Sequence, residues 1–257
     1  MESHRFLFSI FLLVSFICAS SSRPVIRLYG DRTRKFLRDD DGLYCESWRF
    51  TVETNDAGDW KSIPSRCRQF VEDYMTGDSY RSDSTFVADD SLEFARDVEV
   101  AADGHDAWVF DIDETLLSNV PYYQAHGFGL EEFDEKSFDA WVDLADAPAL
   151  PASLSLYEEL QQLGFKIFLL TGRSEHQRNV TETNLRRSGY SNWERLILRS
   201  ASDQGKPATL YKSERRSELK YEGYRLHGSS GDQWSDLLGF AQAQRSFKLP
   251  NPMYYIP

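Results

Sequence analysis

The stretch Ala107–Thr115, Ala-Trp-Val-Phe-Asp-Ile-Asp-Glu-Thr, constrains the fold of this chain more than any other. An apolar run that ends in Asp111 and Asp113 predicts a buried strand with both carboxylates on one side, because side chains along a strand alternate with a period of two. Two carboxylates held side by side need a cation, a shared proton or both. The pattern is typical of a Mg²⁺ site with an aspartyl nucleophile, although two solvated acids at a strand end would have the same sequence. A calcium loop is disfavoured because its sixth position needs glycine, and this chain has Leu116 there.

Apolar strand patterns alternate with helical patterns from residue 105 onward, which predicts a parallel sheet covered by helices. The predicted strands are 107–112, 166–171, 194–198 and 224–228, and the predicted helices are 152–163, 174–188, 213–221 and 233–244. The segment 119–151 is too long for a turn and predicts a small helical cap. The expected fold class is therefore α/β, a Rossmann-like parallel sheet with helices on both faces and a small helical cap inserted after the first core strand.

Local signals support parts of this prediction. Ser174 and Gln177 form a capping-box pattern at the start of one predicted helix, and Gly189 ends that helix. Residues 23–88 carry no regular pattern and are predicted to be irregular, whereas a short helical stripe begins near Ser91.

The N-terminus has the pattern of a secretory signal over residues 1–22. Arg5 supplies a positive start, an apolar core runs from Phe6 to Cys18, and small residues follow it. No later stretch reaches the ~20 apolar residues that a membrane helix requires. The mature chain is therefore expected to be exported and not to bind a membrane. The rest of the chain divides into an N-terminal segment, 23–104, that packs on a core at 105–257.

Export would expose the chain to disulfide formation and to N-glycosylation. Cys45 and Cys67 are left after removal of the signal, and an oxidising compartment predicts that they pair with each other. Two free buried thiols are the alternative. The sequence Asn179-Val-Thr is a glycosylation sequon, which makes Asn179 a candidate for a glycan.

The formal net charge of −12 limits the partners of the chain. An acidic surface repels nucleic acid and anionic membranes, so neither is expected as a partner. The same charge repels phosphorylated substrates in bulk. Any phosphate site must therefore be locally positive, through a metal, a lysine or a helix N-terminus.

Polar residues follow several predicted strands at their carboxyl ends, where open parallel sheets bind ligands. They are Asp111, Asp113, Thr115, Thr171, Gly172, Arg173, Asp232 and Asp236, and Lys212 opens a helix nearby. A carboxylate can attack phosphorus and carry the phosphoryl group, provided that Mg²⁺ and a lysine cancel the repulsion between the two anions. These residue types therefore suit phosphoryl transfer through a covalent intermediate.

The same residues carry a resemblance to a known family. The motifs are Asp111-x-Asp113-x-Thr115, Leu-Leu-Thr171-Gly-Arg, Lys212 and Gly-Asp232-x-x-x-Asp236, in this order. Together they resemble the haloacid dehalogenase superfamily. More narrowly, the chain is similar to the plant acid phosphatases of the class B type, which include the vegetative storage proteins. The stretches Val109–Leu117, Gly231–Leu237 and Leu249–Ile256 support the resemblance, which runs from about residue 40 to the C-terminus.

The resemblance implies roles in catalysis. Asp111 would be the nucleophile, and Asp113 would be the general acid and then the general base. Thr171 would hold a phosphoryl oxygen, with Gly172 beside it in the phosphate site. Lys212 would neutralise Asp111 and the phosphoryl group.

The resemblance also implies a Mg²⁺ site. Asp111 would bind the metal through its second oxygen, and Asp113 through its backbone carbonyl. Asp232 would complete the metal shell directly, and Asp236 either directly or through a water molecule.

Some neighbouring residues admit two interpretations. Lys206 competes with Lys212 for the cationic role, and Lys212 is preferred because it precedes Ser213, a predicted helix cap. Arg173 is expected to serve the structure, with contact to the substrate as the alternative. The aromatic residues of the cap either line a specificity pocket or form the core of the cap: Tyr122, Tyr123, Phe128, Phe133, Phe138 and Trp141. The histidines at 105, 126, 176 and 227 lack metal-ligand spacing and are expected to be bystanders.

Two functions follow as expectations. The first is a secreted or vacuolar Mg²⁺-dependent acid phosphatase that hydrolyses small phosphomonoesters. The second is a vegetative storage glycoprotein whose phosphatase activity is incidental. Some storage proteins of the family that this chain resembles lack the nucleophilic aspartate. The presence of Asp111 therefore favours the first function, an active phosphatase. The sequence leaves a homodimer open.

Overall fold

The computed structural model describes residues 40–257. The predicted signal, 1–22, lies outside the described residues. Five parallel strands form one sheet in the order β3-β2-β1-β4-β5. They are β1 Asp106–Phe110, β2 Lys166–Ser174, β3 Arg195–Arg199, β4 Arg225–Gly231 and β5 Arg245–Lys248. The central strand β1 pairs Val109 with Phe168 of β2 and with Ser229 of β4.

Helices cover both faces of the sheet, which confirms the predicted α/β class. Their bounds are Asp41–Glu53, Arg68–Thr76, Asp78–Arg96, Val120–Ala125, Glu135–Val142, Pro151–Gln162, Arg178–Arg187, Ala208–Tyr221 and Trp234–Leu237. Alternate residues of β1 pack into different apolar clusters. Trp108 and Phe110 join one cluster, and Ala107 and Val109 join the other. All five residues of β1 are buried because both faces are covered, so the strand reads as one apolar run.

The N-terminal region differs from its prediction. Residues 23–88 were expected to be irregular, but the described part contains the helices Asp41–Glu53 and Arg68–Thr76 and most of Asp78–Arg96. A disulfide joins Cys45 to Cys67, with Cα atoms 5.4 Å apart. It ties the first of these helices to the turn that precedes the second.

Two predicted helices have different bounds in the structure. The predicted helix 213–221 begins earlier, at Ala208 directly after Pro207, so Ser213 is not its cap. The predicted helix 233–244 is a helix only over Trp234–Leu237, and the strand β5 follows after residue 244.

The predicted helix 174–188 also changes character at its start. Strand β2 continues through Ser174, a 3₁₀ turn spans Glu175–Gln177, and the α-helix begins at Arg178. The capping box between Ser174 and Gln177 is present at this junction. The positions of the polar residues beyond β2 therefore depend on a strand that runs further than its apolar core.

The region between β1 and β2 is helical and rich in aromatic contacts. Tyr122, Tyr123 and Phe128 are buried in a cluster that includes side chains of the N-terminal helices. Tyr122 packs edge-on against Phe138, with ring centroids 5.3 Å apart. Most of these aromatic residues thus contribute core packing, as the second interpretation of the sequence proposed.

Candidate active site

A cleft of about 330 Å³ opens at the carboxyl ends of the strands. It brings together residues that lie far apart in the sequence. Its polar lining includes Asp111, Asp113, Gly172, Arg173, Lys212, Asp232 and Asp236, and its aromatic lining includes Tyr123, Phe133, Phe138, Tyr254 and Tyr255.

Lys212 lies at the centre of the buried charges. Its Nζ donates to Oδ1 of Asp111 at 2.5 Å and also to Oδ1 of Asp236. Burial alone would lower the pKa of Lys212, but Asp111 and Asp236 outweigh burial and raise it. The competing lysine, Lys206, binds Asp203 and Glu214 and is not among the cleft residues. The preference for Lys212 agrees with the geometry, although the helix-cap argument behind it was wrong.

Three carboxylates form a cluster in which two members, Asp111 and Asp236, contact this lysine. Asp111, Asp232 and Asp236 are buried, and one oxygen from each lies within 4.8 Å of the others. Burial and the charge of Asp236 raise the pKa of Asp111 well above its usual range. The same two causes raise the pKa of Asp232 to about 6. Three ionised acids and one ammonium leave two uncompensated charges, and a set of hard oxygen donors fits a divalent cation such as Mg²⁺.

Asp113 lies apart from this carboxylate cluster. Its oxygens accept from Nη2 and Nε of Arg173 at 2.6 and 3.1 Å, and from Nδ2 of Asn119 at 2.9 Å. Burial would raise the pKa of Asp113, but Arg173 and Asn119 outweigh burial and lower it. Strand β1 ends at Phe110, and the side chains of Asp111 and Asp113 both line the cleft beyond it.

Arg173 has the structural contacts that the sequence predicted, and it also reaches the cleft. Besides Asp113, it donates from Nη1 to the hydroxyl of Thr181 at 3.2 Å, and it lines the cleft. Thr171 is buried and its Oγ1 accepts from the Arg173 backbone N–H at 3.1 Å. Gly172 is exposed in the cleft, with open space where a Cβ would be.

Sequence reasoning missed Glu114, which is fully buried behind Asp113. Its carboxylate accepts from the backbone N–H and Nδ2 of Asn119, at 2.5 and 3.0 Å, and from the hydroxyl of Tyr254 at 2.8 Å. Burial and the charge of Asp232 raise its pKa to about 8. An acidic residue directly after the Asp-x-Asp pattern was the available signal, but its partners are remote in sequence.

Sequence reasoning also missed two amides that hold Asp232. Oδ2 of Asp232 accepts from Nε2 of Gln233 and from Nδ2 of Asn251, both at 2.7 Å. Its Oδ1 accepts a longer bond, 3.3 Å, from Thr115. Because two donors orient Oδ2, Oδ1 is left with only the longer bond and can face a cation.

The remaining predicted residues lie outside the cleft. Asn179 is exposed on the helix Arg178–Arg187, where a glycan has room. None of the described histidines is among the cleft residues. His227 instead bonds Asp106 at the opposite edge of the sheet, with 2.6 Å between the atoms.

The fold and the site together define a class: an α/β protein with a buried carboxylate–lysine centre at the carboxyl edge of its sheet. Solved structures of the class C acid phosphatase from Bacillus anthracis are similar in fold. One has a TM-score of 0.60 at 23% identity, and the alignment covers 73% of this chain and 85% of that one. A second, with tungstate bound, has a TM-score of 0.57 at 22% identity.

The chain belongs to the HAD superfamily, subfamily IIIB (acid phosphatase), whose family model matches residues 32–257. Acid phosphatase 1 of Solanum lycopersicum is 54% identical over 91% of this chain and 90% of its own length. The stem 28 kDa glycoprotein of Glycine max is 43% identical over 95% of each chain. Vegetative storage protein 2 of Arabidopsis thaliana is 38% identical over 83% of this chain and 80% of its own. The resemblance stated from the motifs is confirmed.

Proposed function

We propose that this protein is a Mg²⁺-dependent acid phosphatase that hydrolyses small phosphomonoesters through an aspartyl-phosphate. The observation that carries the proposal is the convergence of Asp111, Asp232, Asp236 and Lys212 at one edge of the sheet. When bound, Mg²⁺ would supply the positive charge that lets a carboxylate approach a phosphate dianion. Asp111, Asp232 and Asp236 would hold it with side-chain oxygens, and Asp113 with its backbone carbonyl.

In the first step, a carboxylate oxygen of Asp111 forms a bond to phosphorus, and the ester P–O bond breaks. The leaving oxygen takes a proton from Asp113. Lys212 balances the charge of the nucleophile, because its ammonium lies 2.5 Å from Oδ1 of Asp111. Thr171 and the exposed backbone at Gly172 hold the phosphoryl oxygens.

In the second step, Asp113 takes a proton from a water molecule, whose oxygen attacks phosphorus. The bond between phosphorus and Asp111 then breaks, which releases phosphate and restores the free carboxylate. Arg173 and Asn119 keep the pKa of Asp113 low, so its carboxylate is ionised and free to accept this proton. The first step needs the protonated form of Asp113, which becomes more abundant as the pH falls. Activity is therefore expected to peak on the acid side of neutrality.

A phosphatase assay on the purified mature protein tests this proposal. Turnover of an aryl phosphate should require Mg²⁺, disappear with a chelator and peak below neutrality over a range of about pH 4 to 8. Activity that is unaffected by the chelator, or that keeps rising toward alkaline pH, would contradict it.

Cellular location follows from the secretory prediction and from the relatives. The leader at 1–22 and the sequon at Asn179 both fit a glycoprotein that is secreted or delivered to the vacuole. Two similar chains are named stem glycoproteins. Within residues 40–257, no helix has the length and apolarity needed to cross a membrane. Fractionation of plant tissue and a test for glycan removal by an endoglycosidase would test the location and the modification.

A storage role is the second candidate, because vegetative storage proteins are among the similar chains. Asp111 argues against a chain without any catalytic capacity. The abundance of the protein and its catalytic rate per molecule distinguish the two roles. A storage protein should accumulate in vegetative tissue and hydrolyse substrate slowly. An enzyme should be scarce and fast.

A further inference from the structure

The C-terminal tail, residues 249–257, lies against the cleft. In the structure, Tyr254, Tyr255 and Ile256 are among the cleft residues. The tail begins beside the catalytic edge, because the backbone N–H of Leu249 donates to the carbonyl of Gly231 at the end of β4, at 2.9 Å.

The tail is anchored to the carboxylate of Asp232 by two amides. Asn251 donates from Nδ2 to Asp232, while its own Oδ1 accepts from the Met253 backbone N–H at 2.9 Å. Gln233 donates from Nε2 to the same carboxylate, and its Oε1 accepts from the Ile256 backbone N–H at 3.0 Å. Asn251 and Gln233 are both buried. The orientation of a predicted metal ligand and the path of the tail are therefore fixed by the same side chains.

A second anchor joins the tail to the acid Asp113. The Tyr254 hydroxyl donates to Glu114, which also binds Asn119, the amide that donates to Asp113. The Tyr254 ring stacks on Tyr123, with centroids 5.2 Å apart. Because the tail is anchored at Asp232 and at Glu114, its backbone is fixed beside the cleft. Its side chains Tyr255 and Ile256 can therefore form a rigid wall of the cleft that discriminates between substrates.

The chemistry of the wall indicates which substrates it favours. Tyr255 and Ile256 share the cleft with Phe133 and Phe138. Tyr255 is supported from behind by Trp60, with ring centroids 6.2 Å apart. An aromatic or apolar leaving group would bury surface here, whereas a small hydrophilic one would not.

We propose that the C-terminal tail selects aryl and other apolar leaving groups through Tyr255 and Ile256, and that Asn251 is a positioning residue for Asp232. The proposal rests on the phosphatase function proposed above. Tyr255 and Ile256 act on the part of the substrate beyond the phosphoryl group. Asn251 acts on the metal through Asp232, so the two parts are measured separately.

The selectivity is tested with the double variant Tyr255→Ala/Ile256→Ala, which leaves the backbone N–H of residue 256 in place. The KM for phenyl phosphate should rise about tenfold, because the lost contacts are apolar. The inhibition constant of inorganic phosphate should stay within about twofold, because phosphate has no leaving group. Unchanged KM values, or equal rises for both compounds, would overturn the selectivity.

The matched control is Leu144→Ala/Tyr221→Ala, which removes comparable side chains that are 62% and 94% exposed and do not line the cleft. It should leave both constants unchanged. A rise in the KM for phenyl phosphate in this control would show that the effect is not specific to the tail and would overturn the selectivity.

The positioning role is tested with Asn251→Leu, which keeps a similar volume without the amide donor. The Mg²⁺ concentration that gives half-maximal activity should rise about 10–100-fold. The rise in Tm caused by a fixed Mg²⁺ concentration should shrink, while the KM for phenyl phosphate at saturating Mg²⁺ stays the same. An unchanged Mg²⁺ requirement in a folded variant would overturn the role.

A second pair of variants covers the case in which Asn251→Leu does not fold. Gln233→Met removes the other amide donor to Asp232, and Gln242→Met makes the same change at an exposed position. Only the first should weaken the response of Tm to Mg²⁺, and equal responses would overturn the role. Wild-type protein without turnover would refute the phosphatase function, yet the Tm measurements would still test Asn251. Normal wild-type turnover with unaffected variants would refute the tail proposal alone.

Discussion

The central strand β1 has a buried aspartate at each end, and the two are treated differently by their surroundings. Asp106, at its start, is 2% exposed, and Asp111, just after its end, is 7% exposed. Asp106 accepts from Arg225 Nε at 2.8 Å, from His227 at 2.6 Å and from the Ala101 backbone N–H at 2.7 Å. Its pKa is lowered, first by Arg225. Asp111 faces one ammonium and further acids, and its pKa is raised by burial and by Asp236.

The two ends of the strand differ in how ionisation of the buried aspartate affects the stability of the fold. At the amino end, donors surround the acid, so ionisation stabilises the fold. At the carboxyl end, acids outnumber cations, so ionisation costs stability until another cation arrives. Buried groups with strongly raised pKa values cluster at functional sites, so this end of the strand is the candidate site. The charges are thus balanced at the amino end of the strand and unbalanced at the carboxyl end, where the proposed site lies.

The largest expected effect comes from Asp111→Asn. Turnover of phenyl phosphate should fall by at least about 10³-fold, because an amide cannot serve as the nucleophile. In chelator, the Tm should be equal to or above that of wild type, because the substitution removes one of several crowded charges. Steady-state kinetics and thermal melts measure both. Unchanged turnover would refute the nucleophile, and a large loss of stability would refute the contrast between the two ends.

The matching substitution at the other end, Asp106→Asn, should have the opposite profile. The free energy of unfolding should fall at neutral pH, because an amide cannot supply the carboxylate charge that Arg225 and His227 contact. The kcat of the folded fraction should stay within about twofold of wild type. Urea unfolding at neutral pH and active-site-normalised kinetics provide the test. A variant that unfolds normally but has lost its activity would contradict the assignment of this end to structure.

Mg²⁺ should raise the free energy of unfolding by binding at the carboxyl end of β1 and not at its amino end. At 100 times its Kd, a ligand that binds the folded state adds about 2.7 kcal/mol to the free energy of unfolding. Asp106→Asn should keep this gain, whereas Asp232→Asn should lose most of it. Urea titrations with and without Mg²⁺ measure the gain. An equal gain in all three proteins would show that the metal binds elsewhere.

The smallest expected effect concerns the pH dependence of stability in the presence of a chelator. Asp232 and Asp106 should contribute to it with opposite signs. The pKa of Asp232 is raised from 3.8 to about 6, so the folded state holds a proton that the unfolded chain releases. Its contribution therefore lowers stability as the pH rises through this window. The pKa of Asp106 is lowered, so its contribution is lost as the pH falls below its unfolded value.

Melts across the acid range test these opposite slopes. Asp232→Asn should flatten the decline toward pH 6, and Asp106→Asn should flatten the loss at lower pH. Saturating Mg²⁺ should also remove the first slope, because the cation takes the place of the proton. Identical profiles with and without the metal would contradict the account.

The sheet was predictable where the sequence carries long apolar runs. β1 and β2 are buried over Asp106–Phe110 and Ile167–Thr171, so their patterns are strong. β5, at the edge of the sheet, was missed because it is four residues long and only Phe247 in it is buried. The N-terminal helices were missed because polar residues occupy most of their positions, and Asp78–Arg96 buries only a few side chains.

The site was predictable to the extent that its residues follow strands. Asp111 and Asp232 come at or just after strand ends, and topology brings those ends to one edge. Lys212 lies within a helix, so its place depends on where that helix begins, and the sequence misplaced the start. The partners Asn119 and Asn251 act through contacts that only the folded chain creates. Isolated asparagines have no pattern that would reveal such contacts.

The central claim is that Asp111 acts as a nucleophile within a cluster of buried carboxylates. The negative charge of this cluster is compensated by Lys212 and a divalent cation. The most direct test is an acid-quench experiment with an aryl phosphate that carries labelled phosphorus. With Mg²⁺, the label should appear on the peptide that contains Asp111 and should be released by hydroxylamine, as an acyl phosphate requires. It should be absent from Asp111→Asn and from wild type in chelator. Label on another residue, or full turnover without any divalent cation, would contradict the account.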